Sequence, residues 1–198
     1  MSKVATALAA AAVLLITTGV ASARSGISMS PTSTTLTYTN IEFEGGIGTP
    51  IRCNWTLDLA FHARTSKSVG SLTGFADLTM GACSEGSIGI LDGGRRVTGA
   101  QGPYHLTYRS FTGTLPNITS LTFRLNDVTF WIELPGFTDC LTNGAVDIDS
   151  TTTGGNPITG ARMASQNVPM TGEFLCIFSA VELNGSGSLS SSVRMTLF

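Results

Sequence analysis

Two histidines are the residues of this sequence best suited to acid–base chemistry. His62 and His105 each alternate with apolar residues in stretches typical of β-strands, so both imidazoles are expected on the polar faces of strands. An imidazole there could act as a general base or bind a metal. Neither histidine lies in a His-x-His pair or beside a nucleophile motif, and the sequence therefore favours two solvated surface histidines.

The acidic residues provide two further candidates for chemistry. Asp147-Ile148-Asp149 is similar to the start of a calcium-binding loop, but the later acidic ligand and the glycine of such a loop are missing. A solvated strand end is the favoured interpretation. A carboxylate pair for sugar hydrolysis could come from Asp58, Asp77, Glu133 or Asp139, and the sequence leaves their separations open.

The serines of this sequence do not indicate nucleophilic catalysis. In Gly185-Ser186-Gly187-Ser188, neither serine has a glycine two residues away on both sides, as a nucleophile elbow requires. We predict no catalytic residue, no cofactor and no metal ion.

A change of hydrophobic parity marks the segment from Leu121 to Leu134. Apolar residues occupy odd positions up to Leu125 and even positions from Val128 onward, with Asn126-Asp127 between them. A two-residue turn would fold this segment into a hairpin with one apolar face. A continuous strand with a bulge is the alternative.

Trp131 is the candidate for a binding surface. In the hairpin it shares a face with Arg124 and Thr122, where an indole could stack on a sugar or on a protein partner. Burial of that face under a second sheet is the alternative, and it is favoured because large aromatic residues are usually well buried.

The elements that carry these residues are strands. Between Ile51 and His62 the odd positions are apolar and the even positions are mostly polar, which is the pattern of a half-buried strand. Similar short stretches, separated by turn residues, recur along the chain. The sequence therefore predicts an all-β fold of about ten short antiparallel strands, either a β-sandwich or an irregular β-barrel.

Four cysteines, Cys53, Cys83, Cys140 and Cys176, permit two disulfides in three connectivities. We favour Cys53–Cys83 and Cys140–Cys176, because each pair then flanks a turn between antiparallel strands. The alternation around Leu78 would place Cys83 on the outer face, so this pairing requires a bulge near Gly81.

The first 23 residues have the order of a secretory signal peptide. A positive start at Lys3 is followed by the uncharged run Val4–Val20 and by the small residues Ala21-Ser22-Ala23. Export would leave residues 24–198 as a single secreted β domain, and an oxidising exterior would suit the disulfides.

Charge is scarce and unclustered. The chain has 11 Lys and Arg against 13 Asp and Glu, a net charge of −2, which offers no electrostatic surface for nucleic acid. Apolar residues are missing at the spacing of a lipid-facing strand before Phe198, where Thr196, Arg194 and Ser192 stand. We expect no nucleic-acid partner and no membrane insertion after signal cleavage.

A family resemblance adds to this interpretation. The leader, the segment Ile51-Arg52-Cys53-Asn54-Trp55-Thr56-Leu57, the segment Phe111–Pro116 and the placement of the other cysteines resemble a group of small exported β-proteins common in actinobacteria. That group is similar to the bacterial "protein activator of alkane oxidation" family. The resemblance implies a secreted, non-enzymatic role linked to the cell surface or biofilm, and it assigns no functional residue.

These observations predict a secreted, disulfide-bonded β domain that acts by binding or by structure at the cell surface or in the extracellular matrix. Its expected partners are cell-wall or matrix polysaccharide or a surface protein. The alternatives are an extracellular hydrolase of polysaccharide or ester substrates and a self-assembling fibre subunit, the latter suggested by low charge and apolar strands.

Overall fold

A computed structural model describes residues 26–45, 50–97, 99–114, 117–133, 139–172, 176 and 179–198. The predicted leader lies outside the described residues. No helix in the described segments is long and apolar enough to cross a membrane. Fourteen strands are present: β1 Gly26–Ser30, β2 Ser33–Glu44, β3 Ile51–Phe61, β4 Thr65–Ser66, β5 Leu72–Cys83, β6 Ser87–Asp92, β7 Arg95–Val97, β8 Gln101–Thr114, β9 Asn117–Val128, β10 Phe130–Glu133, β11 Cys140–Thr142, β12 Val146–Thr153, β13 Ile158–Gly172 and β14 Ala180–Leu197.

Eight of these strands close into an antiparallel barrel. Their order around the ring is β14-β2-β3-β5-β8-β9-β12-β13, and β13 pairs with β14 to complete it. This is also their order along the chain, so each barrel strand pairs with the next in an up-and-down arrangement. The all-β prediction is confirmed. Of its two architectures the structure has the barrel, and it has fourteen strands rather than about ten because six short strands lie outside the ring.

The short strands form two extensions at opposite ends of the barrel. At one end β13 extends into the sheet β11-β10-β6-β7, and we call this end the upper rim. At the other end β1 pairs with β14 and with the two-residue strand β4. The upper rim therefore carries a second sheet, whose Ile90 and Phe130 are buried in the same core as the barrel interior.

The alternation predicted for β3 is confirmed. Cys53, Trp55, Leu57 and the other odd residues from Ile51 to Leu59 are at most 5% exposed, whereas the even residues face outward. The remaining barrel strands follow the same rule and fill the interior with side chains. The cavity between Leu36 and Phe123 measures only about 10 Å³. Where the described residues surround this cavity, the barrel interior is a packed core.

The predicted hairpin at Asn126-Asp127 is wrong, and its alternative, a bulged continuous strand, is nearer to the structure. β9 pairs with β8 and β12, whereas β10 pairs with β6 and β11. One extra residue of β9 opposes β12 between Leu125 and Val128, and Asp127 takes a left-handed φ of 59°. The bulge returns both apolar residues to the interior, which produces the same change of parity as a turn.

Both favoured disulfides are present, and no described cysteine is free. Cys53 and Cys83 are cross-strand partners on β3 and β5, with Cα atoms 4.0 Å apart. The register shifts by one residue between Met80 and Cys83, so the bulge expected near Gly81 is confirmed. Cys140 at the start of β11 is bonded to Cys176. Two disulfides are typical of a protein in a non-reducing compartment.

Candidate functional site

An open pocket of about 310 Å³ lies near the upper rim, between the β6–β7 turn, the start of β8 and the end of β9. We call it the rim pocket. The groups that could bind a ligand there belong to six residues: Asp92, Gln101, Pro103, Tyr104, Asp127 and Thr129. Two carboxylates, a phenol and an amide thus converge on one opening, as in sites that orient small polar ligands.

The bulge in β9 places Asp127 in this pocket. Aspartate tolerates a left-handed backbone better than most residues because its short side chain can bond locally. Here the backbone N–H of Asp127 donates to the carboxylate of Asp147 on β12, at 3.3 Å. The opposite wall is attached to the barrel by Thr129, whose hydroxyl donates to the carbonyl of Leu91 at 2.7 Å. The pocket is therefore formed by structured strand ends.

Tyr104 provides an aromatic surface and a hydroxyl. Burial raises the pKa of its phenol, and the negative charge of Asp92 raises it further. The phenol therefore stays neutral and able to donate a hydrogen bond at physiological pH. The carboxylates of Asp92 and Asp127 can only accept when ionised, so the pocket offers both kinds of partner to a hydroxylated ligand.

A row of three rings lies on the outer wall of the barrel, close to the rim pocket. The ring of Phe75 on β5 is 5.5 Å from that of His62 and 5.4 Å from that of His105 on β8, both edge to face. We call these residues the ring row. The two predicted surface histidines thus flank a half-buried aromatic residue, a contact that sequence reasoning missed.

β8 connects the ring row to the rim pocket. β8 has one extra residue between Gln101 and Tyr104 relative to β5, so Gln101 opposes the buried Leu78, whereas His105 opposes Phe75 on the outer wall. At about 3.3 Å per residue, Gln101 and His105 are about 13 Å apart along β8. The rim pocket and the ring row are therefore neighbouring sites on β8, one at the rim and one on the outer wall.

The residues predicted as a binding surface lie in two different places. Thr122 and Arg124 share the outer face of β9, where the hydroxyl of Thr122 bonds to that of Thr151 at 2.8 Å. Arg124 donates to both carboxylate oxygens of Asp149, at 2.7 and 2.9 Å, and to Asp147 at 3.1 Å. These hydrogen bonds, to Asp149 first, raise the pKa of Arg124.

Trp131 lies in the second sheet, on β10, and is 6% exposed. Its ring is close to Gly89, where an added Cβ would come within 2.7 Å of the indole, and the guanidinium of Arg96 lies 4.7 Å from the ring centroid. Its indole N–H has no hydrogen-bond partner in the described part of the chain. Whether Trp131, Arg124 and Thr122 bind a partner stays a prediction.

The acidic residues considered for chemistry form other contacts. Asp58 and Asp77 are cross-strand partners on β3 and β5, and Thr35 donates to Asp58 at 2.8 Å. Glu133 and Asp139 both form ion pairs with Arg96. Asp147 and Asp149 bind Arg124. Within the described ranges, no group of three or more His, Cys, Asp or Glu side chains could hold a metal ion.

The residues that sequence reasoning missed are Asp92, Gln101, Tyr104 and Asp127. A usable signal existed for Asp127, since an Asx residue at a break in strand parity is a common occupant of a bulge with positive φ. The others come from separate strands, and only the long-range pairing of the chain brings them together.

The chain matches no protein-family model, no curated protein and no solved structure.

Proposed function

We propose that this is an exported, non-enzymatic protein that binds cell-wall or matrix polysaccharide, through the rim pocket and the ring row. One observation carries the proposal: two carboxylates and a neutral phenol line one open pocket at the rim, and three surface rings lie on the outer wall next to it, with β8 contributing to both sites. The packing around the cavity between Leu36 and Phe123 supports an external site, because that cavity is far too small for a sugar. The disulfides support an address outside the cytoplasm.

Saccharide chemistry fits this surface. Sugar hydroxyls are donors that ionised Asp92 and Asp127 can accept, and the phenol of Tyr104 can donate to a sugar oxygen. The C–H faces of a pyranose ring are apolar and can pack on the side chains of Phe75 and His105. A polymer could therefore place one sugar in the pocket and others along β8, without any change in the fold.

The test is a binding measurement on soluble neutral polysaccharides by affinity electrophoresis and calorimetry. Asp127→Asn removes one charged acceptor while keeping a residue that tolerates positive φ, and it should weaken binding about tenfold. Phe75→Ala should weaken it on polymers more than on a monosaccharide, because it lies outside the pocket.

Glu44→Gln is the matched control. It removes an exposed carboxylate from β2, on the opposite side of the barrel from β8 and β9, and should leave affinity unchanged. Retained binding in both Asp127→Asn and Phe75→Ala, or no retention of the native protein on any cell-wall fraction, would refute the proposal.

Hydrolysis of the same polymers is the second candidate, favoured by the presence of Asp92 and Asp127 in one pocket. Two carboxylates flanking a glycosidic bond are the usual machinery for its cleavage. If the protein were such an enzyme, reducing ends would accumulate, and Asp92→Asn and Asp127→Asn would each abolish turnover. Binding without product release rejects this candidate.

A further inference from the structure

A row of hydroxyl side chains crosses the outer wall of the barrel, and one cation interrupts it. Successive cross-strand partners place Thr122 opposite Thr151, Thr151 opposite Arg162, and Arg162 opposite Ser186. Ser110 and Thr39 continue the row at its two ends. Directly opposite residues on neighbouring strands have Cβ atoms about 5 Å apart, so residues that carry hydroxyls flank Arg162 on both sides.

Arg162 lies in an open groove of about 320 Å³. Thr151 and Thr153 of β12 form one wall of the groove, and Ala164 and Ser165 of β13 form the other. The side chain of Arg162 is exposed, and within the described residues it forms no ion pair and donates no hydrogen bond. Five N–H donors therefore remain available for a ligand.

The carboxylates around the groove are already engaged. Asp149, two residues before Thr151 on β12, accepts both hydrogen bonds of a fork from Arg124. Glu182 on β14 accepts a hydrogen bond from Ser165. The rim-pocket residue Asp127 lies about 15 Å away by strand geometry, which exceeds the screening length of about 8 Å at physiological ionic strength. Arg162 is thus the one cation of this groove, and no described carboxylate pairs with it.

We propose that the Arg162 groove binds an oxyanion group, a sulfate ester or a carboxylate, carried by a hydroxyl-rich polymer. The planar guanidinium can bind two oxygens of such a group, and the flanking hydroxyls can bond to the third terminal oxygen of a sulfate ester or to neighbouring sugar hydroxyls. A lipid surface fits the site less well, because the exposed large apolar side chains of the described residues, Val69 and Phe198, lie outside the groove.

The first test titrates the native protein with sodium sulfate, with sodium chloride at equal ionic strength as the reference. Nuclear magnetic resonance should show sulfate-specific shifts at the backbone amides of Thr151 and Arg162. Shifts spread over all the arginines, or identical shifts with chloride, would overturn the proposal.

The second test compares dextran sulfate with neutral dextran. Arg162→Gln should weaken binding to the sulfated polymer about tenfold, because a charge-assisted bidentate contact is lost. Arg162→Lys should recover only part of the affinity, since an ammonium cannot replace the fork. Arg194→Gln removes the same charge from an exposed position on β14 and should cost about twofold or less. Equal losses in the two glutamine variants would indicate diffuse electrostatics and overturn the proposal.

Two further measurements separate this site from its neighbours. Arg162→Gln should weaken binding to dextran sulfate alone, whereas Asp127→Asn should weaken neutral dextran and dextran sulfate alike if the rim pocket binds sugar. The groove therefore stands even if the rim pocket binds no sugar. Phosphatidylglycerol vesicles should not bind in an Arg162-dependent way. Vesicle binding that Arg162→Gln abolishes, without any binding to dextran sulfate, would overturn the assignment to a polymer.

Discussion

Tyr38 carries a polar atom into the apolar interior of the barrel. Its hydroxyl donates to the hydroxyl of Ser150 on β12, at 2.8 Å, and both residues are buried. Burial raises the pKa of this phenol, and the hydrogen bond to Ser150 opposes that rise only in part. Because the pKa in the folded state exceeds that of the unfolded chain, Tyr38 adds stability in full below pH 10 and loses that contribution as the pH rises further.

Tyr38→Phe separates these two effects. At neutral pH the variant should lose about 1 kcal/mol of unfolding free energy, because the buried hydroxyl of Ser150 loses its partner. Above pH 10 its stability should fall less steeply than that of the native protein, since one buried phenol no longer resists ionisation. Urea unfolding across this pH range provides the measurement.

Tyr108→Phe is the control at neutral pH, since it makes the same chemical change where no buried hydroxyl pair is lost; burial raises the pKa of this phenol too, so its alkaline profile is not the reference. It should be nearly neutral at pH 7. Parallel pH profiles for native protein and Tyr38→Phe would contradict the assignment of alkaline sensitivity to Tyr38.

The sequence predicts the burial of a single side chain wherever that burial depends only on the residue's own strand. The inner face of β3 and the bulge beside Cys83 follow from alternation and from glycine, both of which are local. The rim pocket does not follow in that way. Asp92 and Asp127 come together only because β6 reaches the barrel through β10, a pairing that no local pattern specifies.

The disulfide between β3 and β5 shows how one element is held to its neighbour. It closes a segment with a sequence separation of 30 beside the bulge at Gly81. The bulge interrupts the regular ladder, so the covalent bond links the upper ends of both strands where the backbone pairing is irregular.

Cys53→Ala with Cys83→Ala should lower the unfolding free energy by about 3–4 kcal/mol, the loop-closure entropy expected for a segment of this length. Urea unfolding at neutral pH checks this value. The Cys140→Ala and Cys176→Ala pair provides the comparison, with a similar separation of 36. A loss below about 1 kcal/mol in the first variant would mean that the strands need no covalent restraint there.

The element that sequence reasoning misjudged is β9. A two-residue turn and a one-residue bulge shift hydrophobic parity in the same way, so the pattern alone could not separate them. The strand partners distinguish a bulge from a turn, because β9 pairs with strands of the barrel and β10 pairs with strands of the second sheet. Trp131 therefore lies in a different sheet from Arg124 and Thr122, although all three residues lie within ten positions of the sequence.

Closure of the eight strands into a ring determines how much space the interior of the molecule has for a ligand. Alternation predicts that each strand buries one face, and a sandwich and a barrel satisfy that equally well. Only the pairing of β13 with β14 and of β14 with β2 distinguishes them. The eight inner faces then fill the available space with side chains.

The native protein should therefore bind neither fatty acids nor apolar fluorophores. Phe123→Ala should create an internal cavity, lower stability by about 3–5 kcal/mol and permit binding of benzene. Phe75→Ala removes the same ring from the outer wall and should open no cavity. Calorimetry with benzene on the three proteins checks the prediction, and benzene binding to the native barrel would contradict a filled interior.

The closing strand β14 is also the last of the eight in the order of synthesis. Until it arrives, β2 and β13 each present a long row of unpaired backbone amides and carbonyls, and seven strands make an open, curled sheet instead of a ring. A nascent chain that still lacks β14 can pair its exposed strand edges with strands of other chains. Both borders of that sheet are paired only when β14 lies between β2 and β13.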